Sequence, residues 1–198
     1  MPESPLAAHS LAEAHLYAMV SRCASCGKGS FRATETKRLS EPGAVPVLLS
    51  MPLECVVCGT SRNAVFQLAA SPVAQNPEAG AVVNPTDEPS RILDVGQWIT
   101  LFQMITEAAS KQLDKKEIRH LGLEAALCLE EALRFYDDLE NDLPPPNAIF
   151  NEVSRQTFRN HPELFSKTRL IKLRQKLPSL DAMRSILREP PRRRWWKR

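Results

Sequence analysis

Two short runs in this chain place reactive side chains close enough in sequence to act together: Cys23-Ala24-Ser25-Cys26-Gly27 and Cys55-Val56-Val57-Cys58-Gly59. Four thiolates so arranged can close a tetrahedron around one Zn²⁺, with Zn–S bonds of about 2.3 Å. The two-residue spacer lets both sulfurs of a pair reach one metal from a tight turn. Glycine after the second cysteine tolerates the positive φ needed as the chain folds back. The 28 residues between the pairs exceed the familiar window of roughly 15–20. A long hairpin absorbs the excess, because loop-closure entropy grows slowly with length. A redox dithiol would need one reactive Cys-x-x-Cys beside a thioredoxin-like βαβ pattern, which the sequence lacks. Four cysteine ligands also leave no coordination position for an activated water. The pattern therefore predicts one structural Zn²⁺ on Cys23, Cys26, Cys55 and Cys58.

Other reactive groups read as structure. Cys128 could pair with His120 or His161 as a nucleophile, but it falls on an apolar helical stripe, where a free cysteine behaves as a small hydrophobe. Glu117-x-x-His120 has the spacing of half a di-iron site. The rest of such a site is missing, so a solvated helix face is expected. Asp137, Asp138, Glu140 and Asp142 gather where a helix should end, opposing its macrodipole. They lack the EF-hand ligand pattern, and the basic helices that follow are their simplest partners. No phosphate-cradling glycine loop, nucleophile–base signature or pair of inward carboxylates is present, so a non-catalytic protein is expected.

The strongest remaining signal is Arg192-Arg193-Arg194-Trp195-Trp196-Lys197-Arg198. Its cations can displace counterions from phosphates and its indoles can stack on unpaired bases. The same composition suits docking onto protein, and less well an anionic membrane surface. Residues 151–198 carry 14 basic and 4 acidic side chains, whereas residues 91–150 carry 6 and 11. An electrostatic partner is therefore met by the C-terminal quarter. Lys172 and Lys176 add a basic helix face there, though no groove-reading motif can be named.

The elements that must position these residues follow from pattern. Ser10-Leu-Ala-Glu13 is a capping box, but a strand over Leu16–Arg22 leading into the first cysteine pair is the favoured reading. Phe31–Leu39 alternates as a strand, Ser40–Gly43 is a turn, and Val45–Leu53 and Asn63–Leu68 supply further strands. Residues 69–90 hold four prolines and no basic residue, the composition of a linker, and rigid docking across it is not expected. From Ile92 the apolar period changes to threes and fours. Helices are predicted over about 92–109 (capped by Ser90), 115–139, 147–160 and 163–177, with a short last one capped by Ser179. The expected organisation is α+β: residues 1–68, a linker at 69–90, a small α-helical bundle at 91–189, and a basic tail at 190–198. No apolar run approaches the roughly 18 residues of a membrane span.

The region from Leu16 to Leu68, about a quarter of the chain, resembles a zinc ribbon, with two Cys-x-x-Cys-Gly knuckles flanked by β-like sequence. It departs from the commonest knuckle in having Ala24 and Val56 where proline is frequent. The resemblance implies a β fold organised by one Zn²⁺, and no particular task. The expected function is that of a cytoplasmic interaction protein that binds nucleic acid through its C-terminal region. The alternative is a protein–protein adaptor. A reducing compartment suits the free cysteines, and the N-terminus lacks the pattern of a secretory signal.

Overall fold

The computed structural model describes residues 4–68, 83–136 and 141–177. Its N-terminal half is a five-stranded sheet in the order β1 (Leu6–Ala8), β5 (Ser61–Leu68), β4 (Val47–Cys55), β2 (Phe31–Ala33), with β3 (Lys37–Arg38) also on β4. The spine is the antiparallel pair β4 (Val47–Cys55) and β5 (Ser61–Leu68), in register from Val47↔Leu68 to Glu54↔Ser61. Along β4 the buried residues are Val47, Leu49, Met51, Leu53 and Cys55, the period-2 alternation of a strand with one covered face. Ala64, Phe66 and Leu68 extend that face on β5.

The strand expected over Phe31–Leu39 is divided. β2 (Phe31–Ala33) and β3 (Lys37–Arg38) both pair with β4, but the register slips by one residue between Ala33↔Leu53 and Lys37↔Ser50. One extra residue on that strand is the mark of a bulge. Thr34 N–H donates to the Pro52 carbonyl at 3.2 Å, and Pro52, having no N–H, cannot return a bond to the ladder.

The strand expected over Leu16–Arg22 is absent. Leu11–Val20 is instead a helix, α1, and its N-terminal cap explains why. Ser10 Oγ accepts from Glu13 N–H at 3.0 Å, while the Glu13 carboxylate accepts the N–H of His9, one residue before the cap. Ala14 and Ala18, spaced i, i+4, are fully buried. The Tyr17 ring meets Phe66 edge-on at 5.8 Å, fixing α1 against the sheet. The additional strand comes from farther upstream, as β1 (Leu6–Ala8) lies parallel to β5.

In the helical half, α2 is Val95–Ser110 and α3 is Lys115–Leu133. Asp94 rather than Ser90 caps α2, in a capping box with Gln97. Ser90 Oγ accepts from Ile92 and Leu93 N–H just before it. The expected extension of α3 beyond Arg134 is a turn as far as Tyr136, and residues 137–140 lie outside the described set. α4 (Glu152–Asn160) and α5 (Lys167–Gln175) are shorter than their apolar periods, because Asn151 and Ser166 each accept from an N–H of the following first turn. Short 3-10 turns at Pro146–Ala148 and Pro162–Phe165 fill the difference.

α2 packs on α1, α3 and α4, and α5 packs on α3. One buried apolar cluster runs from Met51 and Phe66 to Trp98, Leu129 and Leu170. The junction between the halves is also polar. Ser10 Oγ donates to the Val83 carbonyl, and Asn84 Nδ2 donates to Glu131 Oε2 at 3.1 Å. The last residues of the proline-rich segment are thus docked between α1 and α3, an arrangement its composition does not announce.

Candidate metal centre

The second cysteine pair is the turn of the β4–β5 hairpin. Cys55 ends β4, Gly59 N–H donates to the Cys55 carbonyl at 3.0 Å, and Cys55 N–H donates to Thr60 O at 2.9 Å. The first pair lies between α1 and β2 and closes in the same way, with Gly27 N–H donating to Cys23 O and Cys23 N–H to Gly29 O, each at 2.8 Å. Gly27 and Gly59 have φ of 66° and 72°, the left-handed region that side chains disfavour. Val56 N–H donates to Ser30 O at 3.0 Å and ties one turn to the other. The β2–β4 register sets Phe31 opposite Cys55, bringing the two pairs to the same end of the sheet.

The four Sγ atoms all lie within 4.8 Å of one another. Cys23–Cys58 and Cys26–Cys55 are each separated by 3.7 Å. A tetrahedron with 2.3 Å metal–sulfur bonds has edges of about 3.8 Å, so these distances fit a tetrahedral metal ion, and all four cysteines are free of disulfides. A soft, all-thiolate donor set suits zinc among the common divalent ions. Cys23 and Cys55 are buried, Cys26 is half-buried and Cys58 is exposed.

The local polar groups act unequally on the thiols. The Thr60 hydroxyl, with Oγ1 3.2 Å from Cys58 Sγ, and the Thr60 N–H favour the Cys58 thiolate and bring it down to about 6. The Cys26 N–H lowers Cys23. Backbone N–H groups of Cys58 and Val57 also favour the Cys55 thiolate, but burial and the neighbouring sulfurs outweigh them and push it up to about 11. A bound cation would stabilise all four as thiolates.

Gly29 is a site residue that motif reading passes over. A Cβ there would stand 2.3 Å from Cys55 Sγ and 3.3 Å from Val57, so the chain passes the second pair too closely for any side chain. Its signal in the sequence is slight: a second glycine two residues after the first Cys-x-x-Cys-Gly.

The remaining candidates disperse. Cys128 is buried on α3, where burial, then the charges of Glu124 and Glu131, push its thiol up to about 12. His120 pairs with Glu124 and His161 with Glu163, each at 3.2 Å on the surface. Among the described residues the four cysteines are the one group arranged to hold a metal. Asp142 is answered by the first turn of α5: its carboxylate accepts from Ser166 Oγ at 2.5 Å and Thr168 N–H at 2.7 Å, which holds it below the usual carboxylate range. Asp137, Asp138 and Glu140, the helix expected after Ser179, and Arg192–Arg198 lie outside the described residues. No described helix is long and apolar enough to cross a membrane. No family model, curated protein or solved structure matches this chain.

Proposed function

We propose that the chain is a non-catalytic zinc-ribbon protein whose metal is structural and whose activity is binding. The observation that carries this reading is the donor set. Four cysteine sulfurs within 4.8 Å of one another complete a tetrahedral shell and leave no position for substrate or activated water. The ribbon assignment draws on the hairpin turn formed by Cys55–Cys58 and on the neighbouring Cys23–Cys26 turn leading into β2. It requires that α1 stand where a ribbon would carry its first strand. Zinc in this role contributes folding free energy on the order of 10 kcal/mol, and a reducing, cytoplasmic setting suits the free thiols.

The proposed partner is nucleic acid, met by the C-terminal tail. Arg192, Arg193, Arg194, Lys197 and Arg198 neutralise phosphates, and Trp195 and Trp196 stack on bases. The test is binding of labelled single- and double-stranded nucleic acid across a salt series, for the full chain and for one ending at Glu189. Affinity in the micromolar range or tighter at physiological salt, collapsing without the tail, is the expected result.

A protein–protein adaptor is the second reading, and specific contacts favour it. Arg155 is used by Glu152 at 3.1 Å, Arg169 by the Leu164 carbonyl at 2.9 Å and Arg174 by Glu130 at 2.6 Å. Part of the basic charge of α4 and α5 is thus engaged within the fold. Val56 and Val57, at the tip of the second cysteine turn, are exposed apolar side chains of the kind a protein partner covers. Binding of nucleic acid that is absent, or indifferent to the tail, makes this the reading to pursue.

A further inference from the structure

A polar cleft lies where the segment entering the metal centre meets α2 and α4. It has an inner lobe of ≈ 230 Å³ and an outer one of ≈ 390 Å³, which share Arg22, Val153 and Thr157. Two donors on its wall are unanswered. Arg22, one residue before Cys23, is exposed and has neither a hydrogen bond nor an ion pair among the described residues. Gln97 is only 5% exposed. Its Oε1 is committed to the Asp94 N–H at 3.1 Å, which fixes the amide and leaves Nε2 without a partner among the described residues.

The nearby acids are already satisfied. Asp94 accepts from Gln97 N–H at 2.9 Å, Asn151 N–H at 2.8 Å and Ser154 Oγ at 2.7 Å, so it answers the N-terminal ends of both α2 and α4. Glu152, on the outer lobe, is paired with Arg155 at 3.1 Å. His161 there pairs with Glu163 at 3.2 Å. The inner lobe also presents Ile99, Val153 and Phe165 as an apolar wall. A guanidinium and the amide N–H of a nearly buried glutamine, both unpaired among the described residues and beside apolar surface, call for acceptor oxygens attached to an apolar group.

We propose that this cleft binds a small anionic molecule through a carboxylate or phosphate group. Arg22 supplies the charge, Gln97 Nε2 a fixed donor, and Ile99, Val153 and Phe165 the contact for the apolar portion. Arg22 adjoins Cys23, so its backbone enters the cleft from the cysteine cluster. The site is lined by described residues alone.

The test titrates phenyl phosphate and benzoate, with benzyl alcohol as the uncharged control, into the full zinc-loaded chain while backbone amide shifts are followed by NMR. Saturable shifts in residues 96–103 and 151–157 with an anion, and none with benzyl alcohol, are expected; response to one anion alone identifies the group recognised. Arg22→Gln should weaken binding about tenfold or more. Gln97→Glu keeps an acceptor for the Asp94 N–H but replaces the donor with a negative oxygen, and should abolish binding. Zinc content and thermal unfolding establish that each variant is intact, and if one is not, the other decides. The proposal is overturned if neither anion shifts these amides, if benzyl alcohol binds equally, or if an intact variant binds as the parent does.

Discussion

The metal-binding half and the helical half reach order by different means. In residues 4–68 the far end of the sheet is held by four sulfurs and a few backbone bonds around them. In the helical half, Trp98, Leu101, Leu129, Leu170 and Phe165 are essentially fully buried, and burial of each such side chain contributes about 1.5–3 kcal/mol. The cysteine end of the sheet thus depends on a few strong, removable bonds once a metal is bound, whereas the helices, like the covered face of the sheet, depend on many weak contacts. Chelation should separate them. Removing metal, or replacing Cys55 with Ser, removes a contribution on the order of 10 kcal/mol. The expected outcome is loss of the β4–β5 amide-exchange protection and of α1 while α2–α5 remain protected. A single cooperative loss of both halves would show that the buried junction at Ser10, Val83 and Asn84 outweighs the difference in their interiors.

Gly29→Ala sharpens the same contrast without touching a ligand. The added methyl carbon would stand 2.3 Å from Cys55 Sγ, so a sulfur or the strand must move, and tetrahedral geometry tolerates little of that. Metal affinity should fall by about 100-fold, the scale at which metal sites respond to displaced surroundings, read by competition with a chromophoric chelator. Wild-type affinity would mean that the turn relaxes at little cost.

Trp98→Ala makes the converse test. The side chain is fully buried, and large-to-small changes of this kind cost about 3–5 kcal/mol. Its indole N–H has no partner among the described residues, an unsatisfied group that truncation removes, which favours the lower end. The urea midpoint should fall while metal content stays at the parent's value. Loss of zinc along with it would show that the two interiors are one cooperative unit.

These contrasts also decide what could be read from sequence. The cysteine pairs were legible because metal chemistry fixes residue type and spacing, and the helices because a covered face imposes a period on many residues. α1 runs through most of Leu16–Arg22, where a strand is expected. Its capping box was visible, but the ribbon pattern demands a strand before Cys23, and the sheet meets that need with Leu6–Ala8. Gly29 leaves only a slight trace in the sequence and the Arg22–Gln97 juxtaposition none, since both depend on how distant segments approach in space. The docking of Val83 and Asn84 was hidden for the same reason. Proline content describes local stiffness, whereas docking depends on partners such as Glu131 on another element.

Glu131 supplies the smallest and most local of these tests, because it sits at the seam between the halves. It is 3% exposed. Burial raises its carboxyl to about 7, and the charges of Glu13 on α1 and Glu130 on its own helix reinforce that. Asn84 and Arg134, whose Nε lies 3.3 Å from Oε1, act in the opposite direction. His9, beside Glu13, and Cys128, one turn before Glu131, are further titratable groups at this seam. A carboxyl raised on folding binds its proton more tightly in the native state. Its contribution to stability is therefore fully present below the unfolded carboxylate range near 4.5 and is lost as pH rises through about 7. Urea midpoints measured from pH 5 to pH 8 should decline, and Glu131→Gln should flatten that decline and exceed the parent at pH 8. A parent profile that is flat, or that rises over this interval, would place the charged form of Glu131 among adequate partners. Asn84 and Arg134 would then compensate the buried charge, and the seam would be held by ionic contacts instead of a protonated carboxyl.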